Sequence, residues 1–138
     1  MDDQDLKLRP IGRIVSSLTD RSGAPKQADE CAPPAQIVLF SEFIQAARDL
    51  QPGDEILVLT WLHLGDRTTL AVHPRGDLSR PITGVFSTRS PDRPNPIGLH
   101  AVTIEAVADG ALTVRNLEAI DGTPVLDIKP VLRNQRER

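Results

Sequence analysis

The stretch GVFSTRSPDRPNPIGLH, residues 84–100, places three prolines and two arginines between two segments that read as strands. Its entry is apolar at Ile82 and Val85, and its exit runs through Ile97, Leu99, Val102 and Ile104. Each proline fixes its own φ and biases the residue before it toward extended backbone, so Ser90, Arg93 and Asn95 are all pushed away from helix. The spacing predicts a rigid, pre-shaped ridge joining two strands. Pro91, Pro94 and Pro96 also remove three amide donors, so the loop is poorly suited to cradling phosphate through its backbone. Polar recognition is left to side chains, of which Arg89, Ser90, Arg93 and Asn95 are available.

Strand signals dominate the remainder. PIGRIVS (10–16) reads as a first strand, followed by a long polar loop with three prolines, SLTDRSGAPKQADECAPPA. In SEFIQAARDL, Ser41 is placed to cap a helix whose Phe43, Ala47 and Leu50 fall near one face, and Gln51-Pro52-Gly53-Asp54 ends it. EILVLTWLHL (55–64) is apolar on both faces and predicts a central strand covered on both sides. Gly65-Asp66 turns the chain into RTTLAVH as another strand. Asp109-Gly110 is a hairpin signal between VTIEAV and ALTVRNL, and Asp121-Gly122 repeats that turn before VLDIKP. Such a pattern predicts a mainly β fold, a small antiparallel β-barrel or sandwich with short helical insertions, in one domain spanning residues 1–138.

Composition removes several classes of function. The single Cys31 leaves no internal disulfide and no multi-cysteine zinc site, and it suits a reducing compartment. No apolar run approaches a membrane span, and the polar start MDDQDLKLRP does not read as a signal peptide, so a cytoplasmic location is expected. A net charge of −3 gives no global attraction to nucleic acid; an RNA contact would need a local patch such as Arg75, Arg80, Arg89 and Arg93, or Arg133, Arg136 and Arg138. There is no GxGxxG, Walker lysine motif, GxSxG or HExxH. His63, His73 and His100 lack close metal-ligand spacing. On a two-residue period His63 shares a face with Leu57, Leu59 and Trp61, which reads as a core or rim residue.

The loop at 84–100 resembles the signature of the TsaA-like family, the TrmO-type tRNA methyltransferases. Three further segments are similar in the same order: Ile11-Gly12-Arg13-Ile14, Pro25-Lys26-Gln27 and Asp121 through Pro130, so the likeness spans about residues 10–131. The resemblance implies a small β-barrel that binds S-adenosylmethionine without a Rossmann fold, generally as a homodimer with the cofactor pocket close to the subunit interface. It carries cofactor contacts onto Pro25, Lys26, Gln27, His63, Leu64, Arg89, Ala101, Asp121, Gly122, Thr123 and Pro124. Arg89 is a candidate for the cofactor's carboxylate or, alternatively, for holding the loop itself. The implied reaction methylates N6 of threonylcarbamoyl-adenosine beside the tRNA anticodon; because Pro91 and Pro94 keep the loop from winding into a helix, Arg93 and Asn95 are expected to face outward toward the RNA while Arg89 turns to the cofactor. No residue is an evident base: Asp92, Asp121 and His63 are candidates, and water is an alternative proton acceptor.

The chain also departs from the family pattern. Glu55 stands where larger members carry FSH ahead of the pocket histidine, and Val131 replaces the tyrosine expected after DIKP, in a chain with no tyrosine at all. Only ten residues follow Ile128, so no additional C-terminal domain is expected. Two alternatives stay open: a methyltransferase of the same fold acting on a small metabolite, and a non-catalytic S-adenosylmethionine-binding module. No metal is expected.

Overall fold

The computed structural model describes residues 6–19 and 34–132. Eight strands run in the order β1 (Gly12–Val15), β2 (Ala35–Leu39), β3 (Glu55–Trp61), β4 (Ala71–Val72), β5 (Thr83–Gly84), β6 (Ile97–Ala108), β7 (Ala111–Arg115) and β8 (Pro124–Pro130). Six of them form one antiparallel ladder, β1-β2-β7-β6-β3-β8, and β8 returns to β1 through the pairs Gly12–Val125 and Arg13–Pro124, closing the ladder on itself. The fold is therefore mainly β, as the alternation of apolar residues predicts. Alternate residues of each strand point inward: Ile14, Ile37, Ile56, Val58, Val102, Ile104, Leu112, Val114 and Val125 make a single core. The short pair β4–β5 stands outside the ladder on an excursion between β3 and β6.

The hairpin read from Asp109-Gly110 joins β6 to β7, with Ala108 paired to Ala111 and both turn residues at positive φ (50° and 79°). That is the signature of a type I′ turn, whose twist matches the strands it joins. Asp121-Gly122 is a turn but not a hairpin: β8 pairs with β1 and β3, and β7 with β2 and β6. Its amides bond back to β1 and its exit, Asp121 N–H to Leu18 O (2.6 Å) and Gly122 N–H to Ile14 O (2.8 Å).

Three local readings are corrected. Residues Ser41–Ala47 form a 3₁₀ helix rather than an α-helix, starting from extended Phe40 with no side-chain cap, so Ser41 does not cap it. The three-residue period aligns Ala47 with Leu50, and both pack against the core, while the Phe43 ring lies under Arg9 at 5.2 Å. In the predicted strand 67–73 only Ala71 and Val72 pair, because Thr68 turns back to bond the Asp66 carboxylate. Strand β2 was hidden behind the proline-rich loop in the sequence pattern, although QIVL alternates cleanly between exposed and buried positions.

Strand β3 is covered on both sides only in part. Ile56, Val58 and Thr60 are buried inside the ladder, whereas Leu57, Leu59 and Trp61 are half-buried on its outer face. No helix layer covers that face among the described residues. Its apolar character has another use, in the cleft described next.

Candidate functional site

Loop 85–96 is stapled by its own polar groups. Arg93 turns inward: Nη1 donates to the carbonyls of Thr88 (2.9 Å) and Ser90 (3.1 Å), and Nη2 to that of Val85 (3.0 Å). The Thr88 hydroxyl donates to Val85 O and accepts from Ser90 N–H, and the Ser90 hydroxyl accepts from Asp92 N–H. The expectation that Arg93 faces outward is thus corrected. Three prolines remove backbone donors from the loop, and the planar guanidinium gathers the carbonyls of Thr88 and Ser90 together with that of Val85, which also accepts from Thr88.

A second layer clasps this loop to the exit of β3. Arg67 lies over the Trp61 ring at 5.1 Å, donates through Nε to Pro94 O (2.7 Å) and through Nη2 to Asn95 Oδ1 (3.0 Å). Asp66 N–H donates to Asp92 Oδ1 (2.9 Å). Gly65 sits so close to the carbonyl of Pro91 that a Cβ there would collide with it. The Asp66 carboxyl is held below the usual carboxylate range, chiefly by the Thr68 hydroxyl and then by backbone amides. Neither Arg67 nor Trp61 was singled out from the sequence as a loop clasp; the signal was an arginine six residues after a strand-end tryptophan, too generic to interpret alone.

The clasped loop delivers Arg89 to a cleft of about 230 Å³ beside β3 and β6. Leu57, Leu99 and Ala101 form its apolar floor; Arg89, His100, Asn116 and Glu118 supply its polar groups. Asn116, at φ 68°, leads the chain out of β7 toward Glu118. At this size the cleft is smaller than the roughly 300–1,000 Å³ of complete small-molecule sites, so it suits one end of an elongated ligand. A second, more open concavity of about 350 Å³ lies between Val15, Ser16, Ser17, Pro34, Ala35, Gln36 and Thr113 and holds no ionisable side chain.

His100 is the least expected member of the cleft. It points inward from β6, is 8% exposed, and meets the fully buried Thr60 through Nε2 at 2.8 Å from Oγ1. The pair fits because residue 98 is glycine: a Cβ there would collide with Thr60 Oγ1 and lie 2.8 Å from His100 Nε2. Among the described residues, His100 Nδ1 is buried with no hydrogen-bond partner. Burial first, and the Arg89 charge second, lower the His100 pKa to about 4, so the ring is neutral near pH 7.

The sequence-predicted contacts fall into four groups. Arg89 and Ala101 meet in the cleft. His63 and Leu64 lie beyond the end of β3 and are exposed, so His63 is not the core residue that its spacing with Leu57, Leu59 and Trp61 allowed; the strand stops at Trp61, and Leu62 N–H donates to Pro96 O. Asp121, Gly122, Thr123 and Pro124 form the turn into β8, where Asp121 Oδ1 accepts from Ser16 N–H (3.0 Å) and the buried Thr123 hydroxyl donates to Ile120 O (2.7 Å). Pro25, Lys26 and Gln27 lie outside the described residues. None of the candidate bases Asp92, Asp121 and His63 lines the cleft. No cluster of three metal-ligating side chains occurs among the described residues, and no helix there is long and apolar enough to cross a membrane.

A closed six-stranded ladder with a cleft beside β3 and β6, walled by a proline-rigid arginine loop, defines a small β-type ligand-binding domain rather than a Rossmann enzyme. Residues 13–135 match the tRNA-methyltransferase O N-terminal domain, and the chain belongs to that family. It is 44% identical over 130 residues to a probable S-adenosyl-L-methionine-binding protein of Methanothermobacter thermautotrophicus, covering 94% of this chain and 93% of the relative. An S-adenosyl-L-methionine-binding protein of Archaeoglobus fulgidus is 40% identical over 122 residues, covering 88% and 86%. The crystal structure of TrmO from Pseudomonas aeruginosa superposes with a TM-score of 0.74 at 28% identity, covering 96% of this chain and 58% of that one. A further TrmO crystal structure gives 0.76 at 28% identity, covering 100% and 60%. The chain thus spans about three-fifths of the length of those solved proteins. The family is one of S-adenosylmethionine-dependent methyltransferases, in agreement with the expected cofactor.

Proposed function

We propose that this protein binds S-adenosylmethionine with one end in the Arg89–His100 cleft and transfers its methyl group to N6 of threonylcarbamoyl-adenosine next to a tRNA anticodon. The observation that carries the reading is the family match over residues 13–135. The cleft fits such a cofactor: it has an apolar floor, a cation at Arg89, an anion at Glu118 and a buried imidazole nitrogen without a partner among the described residues. Arg89 and Ala101 hold the cofactor from the cleft, and Pro25–Gln27, His63, Leu64 and the turn Asp121–Pro124 are assigned to its remaining length by the family pattern.

When bound, the cofactor supplies a methyl group activated on a sulfonium. The chain's own task is to hold the acceptor nitrogen in line with that group and to exclude competing water. Leu57 and Leu99 supply the dry surface, and the clasp of Arg67 on Pro94 and Asn95 fixes the loop carrying Arg89. Asn95 is exposed on this ridge and is assigned to the acceptor. Arg93 contributes by shaping the ridge, not by touching RNA. With Asp92, Asp121 and His63 away from the cleft, the proton lost by the acceptor nitrogen is assigned to water.

The working protein is proposed to be a cytoplasmic homodimer. Support comes from apolar side chains displayed on the excursion between β3 and β6, where Leu78 and Phe86 are about four-fifths exposed. A small-molecule acceptor is the second reading, favoured by the net charge of −3 and by Arg93 being spent on the loop. Mass spectrometry of tRNA nucleosides from a strain lacking this protein separates the two. Loss of the N6-methylated threonylcarbamoyl nucleoside is expected; an unchanged nucleoside pool transfers support to the small-molecule acceptor.

A further inference from the structure

The side chains that satisfy Thr60 determine what His100 can do. Thr60 is fully buried, and its hydroxyl has one partner among the described residues, His100 Nε2 at 2.8 Å. If Nε2–H donated to Oγ1, the hydroxyl hydrogen would be left buried with no acceptor, an arrangement that folded proteins avoid. The satisfied arrangement has Thr60 O–H donating to the Nε2 lone pair. The ring proton then sits on Nδ1, the buried atom that lacks a partner, in the residue that shares the cleft with Arg89. A neutral imidazole N–H and a guanidinium both offer only donors to the cleft.

We propose that His100 Nδ1–H and Arg89 form a carboxylate-binding pair, with Thr60 as the positioning residue that fixes the imidazole tautomer, and that the carboxylate they take is the one at the cofactor's amino-acid end. The assignment rests on the cofactor reading above. The other groups of the cleft agree with a zwitterionic ligand end. Glu118, from the segment after β7, is the anionic side chain facing the same space, Asn116 is neutral, and β3 and β6 contribute only Leu57, Leu99 and Ala101. The arrangement also separates the roles of the two donors: Arg89, exposed on the loop, gives long-range attraction, and His100, buried in the floor, fixes the position.

The test has two parts. Long-range ¹H–¹⁵N spectra of the unliganded protein should show His100 protonated at Nδ1 and unprotonated at Nε2; the opposite pattern overturns the proposal. Calorimetry is then carried out with S-adenosylmethionine and with its decarboxylated analogue. His100→Leu should weaken S-adenosylmethionine about tenfold to a hundredfold, the range of one hydrogen bond to a charged group. Binding of the decarboxylated compound should change less than about threefold, because it lacks the group that His100 bonds. His100→Asn, which places an amide N–H near the Nδ1 position, should recover most of the affinity. Thr60→Val, of similar volume, should weaken only the carboxylate-bearing ligand. Equal losses for both ligands, or no loss in His100→Leu, refute the carboxylate pair. A folded wild type that binds neither compound refutes the cofactor reading as well, whereas one that binds both equally well refutes the carboxylate assignment alone.

Discussion

Arg93→Ala should destabilise the protein and weaken cofactor binding together, because Arg93 builds the wall on which Arg89 stands. The guanidinium makes three hydrogen bonds of 2.9–3.1 Å to the carbonyls of Thr88, Ser90 and Val85. The site is part-buried, so each bond is worth about 1 kcal/mol net rather than the full value for a charged donor, giving a loss of about 3 kcal/mol. Val85 O keeps the Thr88 amide and hydroxyl as donors, so about 3 kcal/mol is the upper value. For a chain of this length that corresponds to a drop in Tm on the order of 10 °C. Arg93→Lys should recover at most about a third of the loss, since one ammonium cannot match a planar fork bonded to three carbonyls. The assay is thermal unfolding by circular dichroism, paired with calorimetric titration of S-adenosylmethionine. A shift in Tm below about 2 °C for Arg93→Ala, or a lysine variant as stable as the wild type, refutes the assigned role.

Other outcomes follow from the same geometry. Gly98→Ala should disrupt the Thr60–His100 bond, since the added Cβ meets both side chains, and should lower stability by about 1–3 kcal/mol in urea titration, as overpacking of a filled interior does. Val58→Ala, in the fully buried centre of β3, should lower stability by about 2–3 kcal/mol through the cavity it leaves. His100 is the buried group whose pKa is depressed, from 6.5 to about 4. The unfolded chain therefore binds its proton first, and stability is complete above about pH 6.5 and falls as the pH drops toward 4. The contribution amounts to about 3 kcal/mol and should vanish from the pH profile of His100→Gln. Light scattering should report a homodimer at tens of micromolar; a monomer there contradicts the proposed assembly.

The fold was readable where the sequence imposes a local rule. Asp109-Gly110 requires two positive φ values and therefore gives its hairpin away, and strands such as 111–115 alternate without interruption. Strand β3 was readable as a strand, but its two apolar faces have different causes: one fills the core, and the other floors the cleft through Leu57. Periodicity cannot separate these, because burial against protein and burial against ligand select the same side chains. The helix at 41–50 was misread for a related reason, as residues three apart lie on one side in both an α-helix and a 3₁₀ helix. The site was readable only in part. Arg89 came from the motif, and the inward turn of Arg93 did not, because the shortage of donors beside prolines becomes visible only when the carbonyls are located. His100 had no legible role in the sequence, since its importance depends on Thr60 forty residues away and on the missing side chain at Gly98.

The most direct measurement of the central claim is calorimetric titration of S-adenosylmethionine into the wild-type protein and into Arg89→Ala. Saturable binding at one site per chain is expected, weakened about tenfold to a hundredfold in Arg89→Ala while thermal unfolding shows the variant folded. Absence of heat at millimolar cofactor, or a folded Arg89→Ala with wild-type affinity, would contradict it.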